Sequence, residues 1–173
     1  MTAFILTIVS HTPAWVWAVF AALVLLGLRQ TRTQDMPAAR VLVVPAILVP
    51  LSLLGTVRGF AHVNELVCAA DWAAGAALGF FSNRVLDLPR QVSANADGTF
   101  RVGGSIVPLL LFVGIFMIRY VVNVALAVQP SLSGDVGAAC IAGAAYGLTS
   151  GMLAARARKI WSTRRTGAAL VAA

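Results

Sequence analysis

The chain has 173 residues, of which 60% are hydrophobic and 11% charged, with a formal net charge of +7 and a mean hydropathy of +0.88. Soluble domains run nearer half apolar and about a quarter charged, so the composition sets aside an ordinary soluble enzyme and points to an all-α, polytopic membrane protein. The basic excess does not argue for nucleic acid, because the basic residues lie between and after apolar blocks, where membrane topology explains them.

No repeat of fixed period and no low-complexity linker divides the chain, so 1–173 reads as one transmembrane helical domain. The opening "MTAFILTIVSHTP" has no basic residue ahead of its apolar part, and a cleaved signal peptide is not expected. A membrane-crossing helix needs roughly 20 apolar residues. Five such stretches follow in chain order. The first, about 12–28, places Thr12 as an N-cap and Pro13 at the first helical position. The second, about 41–57, carries Pro45 and Pro50 and is expected to kink or to be re-entrant. The third, about 62–81, is the most polar, and an interfacial helix is its alternative. The fourth, about 105–128, contains Arg119, and the fifth spans about 134–155.

The charges test this threading. Arg29, Arg32 and Arg40 follow the first span; Arg84, Arg90 and Arg101 follow the third; Arg156, Arg158, Lys159, Arg164 and Arg165 follow the fifth. With five crossings, these fall on one side of the membrane, and only Arg58 and the intramembrane Arg119 lie elsewhere. That positive-inside pattern sets the N-terminus outside and the C-terminus inside. Trp15 and Trp17 then sit at the outer interface and Trp161 just beyond the inner one. The segment 82–104 becomes a cytoplasmic loop, with "ADG" reading as a hairpin turn between "QVSAN" and "TFRV". The remainder, 156–173, reads as a basic cytoplasmic tail that anchors to anionic lipid.

Arg119 lies deep in an apolar run, "SIVPLLLFVGIFMIRYVVNVALAV". An uncompensated charge at that depth costs several kcal/mol, so such residues face the bundle interior and are paired. Asp71, nine residues into the third span, lies roughly 13 Å deep at 1.5 Å per residue. Arg119 is as far from the outer end of the fourth span, and an Asp71–Arg119 ion pair is therefore expected. Asn64 lies on the Asp71 side and Asn123 one helical turn after Arg119, extending the pair into a polar seam. Two readings stand for it: a lock on helix register, or a site for a substrate, ion or proton.

Gly75 and Gly79 form one GxxxG match, and Gly143, Gly147 and Gly151 a double one. Such faces let helix backbones approach closely. The fifth span packs through them against the third, or against another copy of the chain. Cys68 and Cys140 fall at matching depths and are a redox pair if their backbones approach, or ordinary packing residues otherwise. His11 and His62 lie near the outer surface as exposed cap residues. No metal-ligand spacing, phosphate loop or catalytic signature is present, so no metal, cofactor or catalytic residue is expected and an enzyme is not favoured.

The runs "SHTPAWVWAVFAALVLLGLRQTRTQ", "LSLLG" and "FRVGGSIVPLLLFVGIFMIRY" resemble a family of uncharacterised proteobacterial inner-membrane proteins, a domain of unknown function. That family places a basic residue before the tyrosine in the fourth span, as in Arg119-Tyr120. The layout of small-residue helix, D-G loop, V-x-G-S and apolar helix with a late arginine also looks like the CcdC-like membrane proteins. The resemblance implies a multi-pass location in the bacterial inner (plasma) membrane and supplies no catalytic residues. The functional expectation is a non-enzymatic scaffold or assembly component, partnered by the lipid bilayer and by a second copy or another membrane protein. A small ion- or proton-coupled transporter, or a membrane redox factor, is the alternative.

Overall fold

A computed structural model of the chain describes residues 10, 12–86, 92–94 and 99–171. It is mostly helical. Among the described residues five α-helices run in the order α1 (Ala14–Arg29), α2 (Ala38–Gly59), α3 (Glu65–Leu86), α4 (Val107–Val128) and α5 (Val136–Val171). Three short strands, β1 (Gln34–Pro37), β2 (Val92–Ala94) and β3 (Thr99–Val102), and a 3-10 turn at Pro130–Gly134 lie between them.

Among the described residues three helices are long and apolar enough to cross a membrane: Val41–Gly59 of α2, all of α4, and Val136–Thr163 of α5. The apolar α1 is shorter. Pro45 and Pro50 are held within one continuous α2 of 22 residues. At 1.5 Å per residue it is about 33 Å long, enough for a hydrocarbon core of about 30 Å and longer than a re-entrant turn requires. Each proline removes an amide donor. Close by, the Ser52 hydroxyl donates to the Val49 carbonyl and the Thr56 hydroxyl to the Ser52 carbonyl, so the buried hydroxyls of α2 are satisfied on its own backbone.

The most extensive contacts are not between sequential helices. α5 is the centre of the bundle: it packs most extensively on α3, then on α2, and also on α4. α1 packs on α4, where a Cβ at Gly27 would lie 2.7 Å from the Leu109 Cα. α3 and α4 share no comparable interface. The core between α3 and α5, near the α2–α3 turn, is built from Phe60, Val63, Cys68, Ala139, Ala142 and Tyr146.

At the opposite end the connections gather into a small antiparallel sheet of order β1-β3-β2. The β2–β3 pairing, Val92 with Val102 through Ala94 with Phe100, fits the expected hairpin, whose "ADG" turn lies outside the described residues. β1, joining α1 to α2, pairs Gln34 with Val102 through Pro37 with Thr99 and was not foreseen. The alternating inward residues of β3, Phe100 and Val102, meet Val41, Ala157 and Ile160 in a second core cluster. The expected basic tail is helical as far as Val171 and packs on this sheet. From 156 onward the chain continues α5 without a break, burying Arg156, Ala157 and Ile160 and packing Trp161 on Phe100 with ring centroids 6.4 Å apart. The reason is periodicity: Leu153, Ala157 and Ile160 carry the apolar face past the arginines.

Candidate functional site

The α3–α5 interface is made by main chain. A Cβ at Gly75 would lie 2.5 Å from the Ala144 carbonyl oxygen, and one at Gly79 2.0 Å from that of Leu148. In return, a Cβ at Gly147 would lie 2.1 Å from the Trp72 oxygen and one at Gly151 2.0 Å from the Ala76 oxygen. Residue numbers rise together on both helices, so α3 and α5 are parallel. The two helices use equivalent glycines in equivalent ways, each glycine meeting the carbonyl three residues before its counterpart. Glycine is required here because any side chain would sit inside the neighbouring backbone. The small-residue faces thus pack against each other within one chain.

Above this interlock lies Asp71. Its Oδ2 is buried without a hydrogen-bond partner and points at Gly143, whose Cβ, if present, would lie 2.6 Å away. The nearby Thr56 hydroxyl is committed to the Ser52 carbonyl. Cys68 and Cys140 each lie three residues before this Asp71–Gly143 contact and so share one level of the parallel pair. Both are free thiols, Cys68 buried and Cys140 half-buried.

Arg119 is elsewhere. Its Nη2 donates to the Leu51 carbonyl of α2, and its Cζ lies 5.9 Å from the centroid of the Tyr146 ring on α5. Gly55 leaves the room for this reach, since a Cβ there would come within 2.9 Å of Nη2. Among the described residues no ion pair joins Asp71 to Arg119, a correction to the sequence reading. The physical reason is the order of packing. α3 lies against α5 and α2, whereas α4 lies against α1 and α5, so the two equally deep charges are held apart. The wider seam also dissolves. Asn64 caps α3, its Oδ1 accepting from the Leu66 amide at 2.8 Å, and Asn123 donates to the Arg119 carbonyl one turn back in α4 at 2.8 Å.

Arg119 and Asn123 instead line a cleft of about 590 Å³ between α1 and α4, together with Thr12, Trp15, Phe116 and Tyr120. The Thr12 hydroxyl, expected as an N-cap, is hydrogen-bonded to the Tyr120 hydroxyl at 2.9 Å, and α1 begins after Pro13. Tyr120 stacks on Phe116 with centroids 6.1 Å apart. A guanidinium has five N–H donors, and the cleft gives those of Arg119 access to a guest with oxygen acceptors.

The sequence reading missed a knot of hydroxyls at mid-bundle. Ser52 of α2 and Ser150 of α5 are hydrogen-bonded at 2.7 Å, and the Trp72 indole N–H of α3 donates to the Ser52 hydroxyl at 3.0 Å. With the Ser52 proton on the Val49 carbonyl, Ser150 is the donor of the Ser52–Ser150 bond, and the Tyr146 carbonyl, 2.7 Å away, is the alternative acceptor for its single proton. Its sequence signal was three polar side chains at mid-depth in helices two, three and five. His62 is exposed beside Gly134, and His11 lies outside the described residues. Among the described residues no group of three or more His, Cys, Asp or Glu is arranged to hold a metal ion.

The family model of a family of unknown function, DUF6622, matches residues 1–169. The chain belongs to that family. A relative in Pasteurella multocida (strain Pm70), itself named an uncharacterised protein, is 28% identical over 76 residues. That match covers 44% of this chain and 57% of the relative, so the chain spans little more than half of its length. No solved structure matches. An uncharacterised family was the resemblance read from the sequence, whereas nothing in these comparisons supports the likeness to CcdC-like proteins.

Proposed function

We propose that the chain is an integral protein of the bacterial inner membrane that crosses it five times, N-terminus outside and C-terminus inside, and serves as a non-enzymatic scaffold or assembly component. The observation that carries the scaffold reading is the α3–α5 interlock. Two parallel helices with carbonyl-to-glycine contact form a stiff spine, and α2 is tied to it by the Ser52–Trp72–Ser150 hydrogen bonds. The threading is supported by the parallel run of α3 and α5, and by the gathering of the α1–α2 and α3–α4 connections with the α5 extension at one end, where most basic residues lie. For α1, whose 16 residues span about 24 Å, and α3, which carries Asp71, the crossing rests on this alternation.

A small proton- or ion-coupled module is the second reading, favoured by one observation: the buried Asp71 Oδ2 without a partner. Reconstitution in liposomes loaded with a pH-sensitive dye separates the two. The scaffold reading expects no proton flux above empty liposomes under an imposed gradient. Flux that Asp71→Asn abolishes would replace it with the transport reading.

A further inference from the structure

Arg156 lies on α5 at the sheet end of the bundle. It is only 7% exposed, and its Nη1 is buried without a hydrogen-bond partner. Cations outside this site have partners or solvent: the half-buried Arg119 donates to the Leu51 carbonyl, and the exposed Arg158 guanidinium rests 5.4 Å from the Phe80 ring centroid. A guanidinium stays charged, and burying such a charge without a partner costs several kcal/mol. Arg156 also lines a cavity of about 110 Å³. Its walls are apolar, with Leu26 of α1, Pro45 of α2, Phe112 of α4 and Leu153 of α5, and Gln30 is its other polar lining residue.

We propose that this cavity binds the head of an anionic amphiphile, with a phosphate or carboxylate oxygen pair on Arg156 and the adjoining hydrocarbon against the apolar walls. Arginine suits such a head because its fork of donors matches two oxyanion oxygens. Water alone is a poor occupant, since it needs two to four polar partners and the walls supply few. A free inorganic anion would leave the apolar walls unfilled. The volume equals only a few waters at about 30 Å³ each, so the site takes a headgroup and its first methylenes while the rest of the chain lies in the bilayer. The arginine stands where α1 ends and α2 and α4 begin, the level at which a headgroup of the proposed cytoplasmic leaflet lies.

The test uses the full chain in neutral detergent. Tm is read with added phosphatidylglycerol, palmitate, phosphatidylcholine or inorganic phosphate. Phosphatidylglycerol, palmitate or both raise Tm by roughly 5 °C more than phosphatidylcholine, the shift expected at about 100 times Kd. The amphiphile that acts identifies the head as phosphate or carboxylate. Inorganic phosphate alone leaves Tm unchanged. Arg156→Met removes the specific rise and, without lipid, melts higher than the natural chain, because it replaces an uncompensated charge. Arg158→Gln keeps the rise. A rise that survives Arg156→Met, or one that inorganic phosphate reproduces, overturns the proposal. Should Arg156→Met fail to fold, native mass spectrometry of the unaltered protein decides: preferential retention of phosphatidylglycerol or palmitate over phosphatidylcholine supports the site, and equal retention overturns it.

Discussion

Gly147 of α5 lies against the backbone carbonyl of Trp72 on α3, so near that a Cβ at 147 would be 2.1 Å from that oxygen. The contact recurs one turn on between Gly151 and Ala76, and in mirror fashion from Gly75 and Gly79 toward α5. No side-chain movement can relieve a clash with a helix carbonyl. Gly147→Leu is therefore expected to separate the two helices and cost about 3 kcal/mol or more, the upper range for overpacking. Gly114, around which a Cβ would meet nothing within 4 Å, is the control. Gly114→Ala is expected to be neutral or stabilising by up to about 1 kcal/mol, through helix propensity. Thermal unfolding in detergent reads both.

Asp71 and Arg119 have separate surroundings, so their contributions to stability are independent. In a double-mutant cycle with Asp71→Asn and Arg119→Gln, the effects on stability add to within about 0.5 kcal/mol. A coupling above about 1 kcal/mol, with the double variant recovering the loss of either single one, would restore the direct pair. Gly55→Ala is a further check. It crowds Arg119 Nη2 and should reproduce part of the loss seen in Arg119→Gln, by the same amount in the natural chain and in an Asp71→Asn background.

Ser52 and Ser150 join α2 to α5 at the middle of the bundle. Interhelical hydrogen bonds within membranes average about 0.6 kcal/mol and reach about 1.7. Ser52 also accepts from the Trp72 indole, so Ser52→Ala strands two partners, whereas Ser150→Ala strands one. Ser52→Ala is expected to cost more than Ser150→Ala, and Trp72→Phe is expected to couple with the first and not with the second. Unfolding measurements on the three single and two double variants check the order.

Ile160, Phe100 and Val41 join three distant parts of the chain at the sheet end. Ile160→Ala opens a cavity there and is expected to cost about 2–5 kcal/mol. Ser162→Ala, two residues on and exposed, should fall within about 0.5 kcal/mol of the natural chain. If 156–163 were a free tail, Ile160→Ala would be as silent as Ser162→Ala.

Much of the helix layout was legible because apolar length and turn residues mark helix positions independently of packing. The glycine faces were legible too: four-residue spacing says that a backbone can come close, although it names no partner. What could not be read was the order in which helices pack. Placing Asp71 opposite Arg119 took α3 and α4 to touch as consecutive helices, whereas α5 packs on both and they share no comparable interface with each other. The true acceptor for Arg119 is a main-chain carbonyl at Leu51, which every residue type offers equally. The basic run after 155 hid the apolar face of Ala157 and Ile160, and the Pro37 strand edge of β1 has no alternation to betray it. Asn64 before Glu65 was a legible N-cap, passed over in favour of a polar seam.

The five-crossing threading is tested most directly by cysteine labelling in intact cells. In a chain carrying Cys68→Ala and Cys140→Ala, a single cysteine replaces Ser131 in the turn before α5, or Ser93 in the sheet. A membrane-impermeant maleimide should label the Ser131→Cys chain in intact cells and the Ser93→Cys chain only after the inner membrane is opened. Labelling of Ser93→Cys in intact cells, or protection of Ser131→Cys there, would contradict the account.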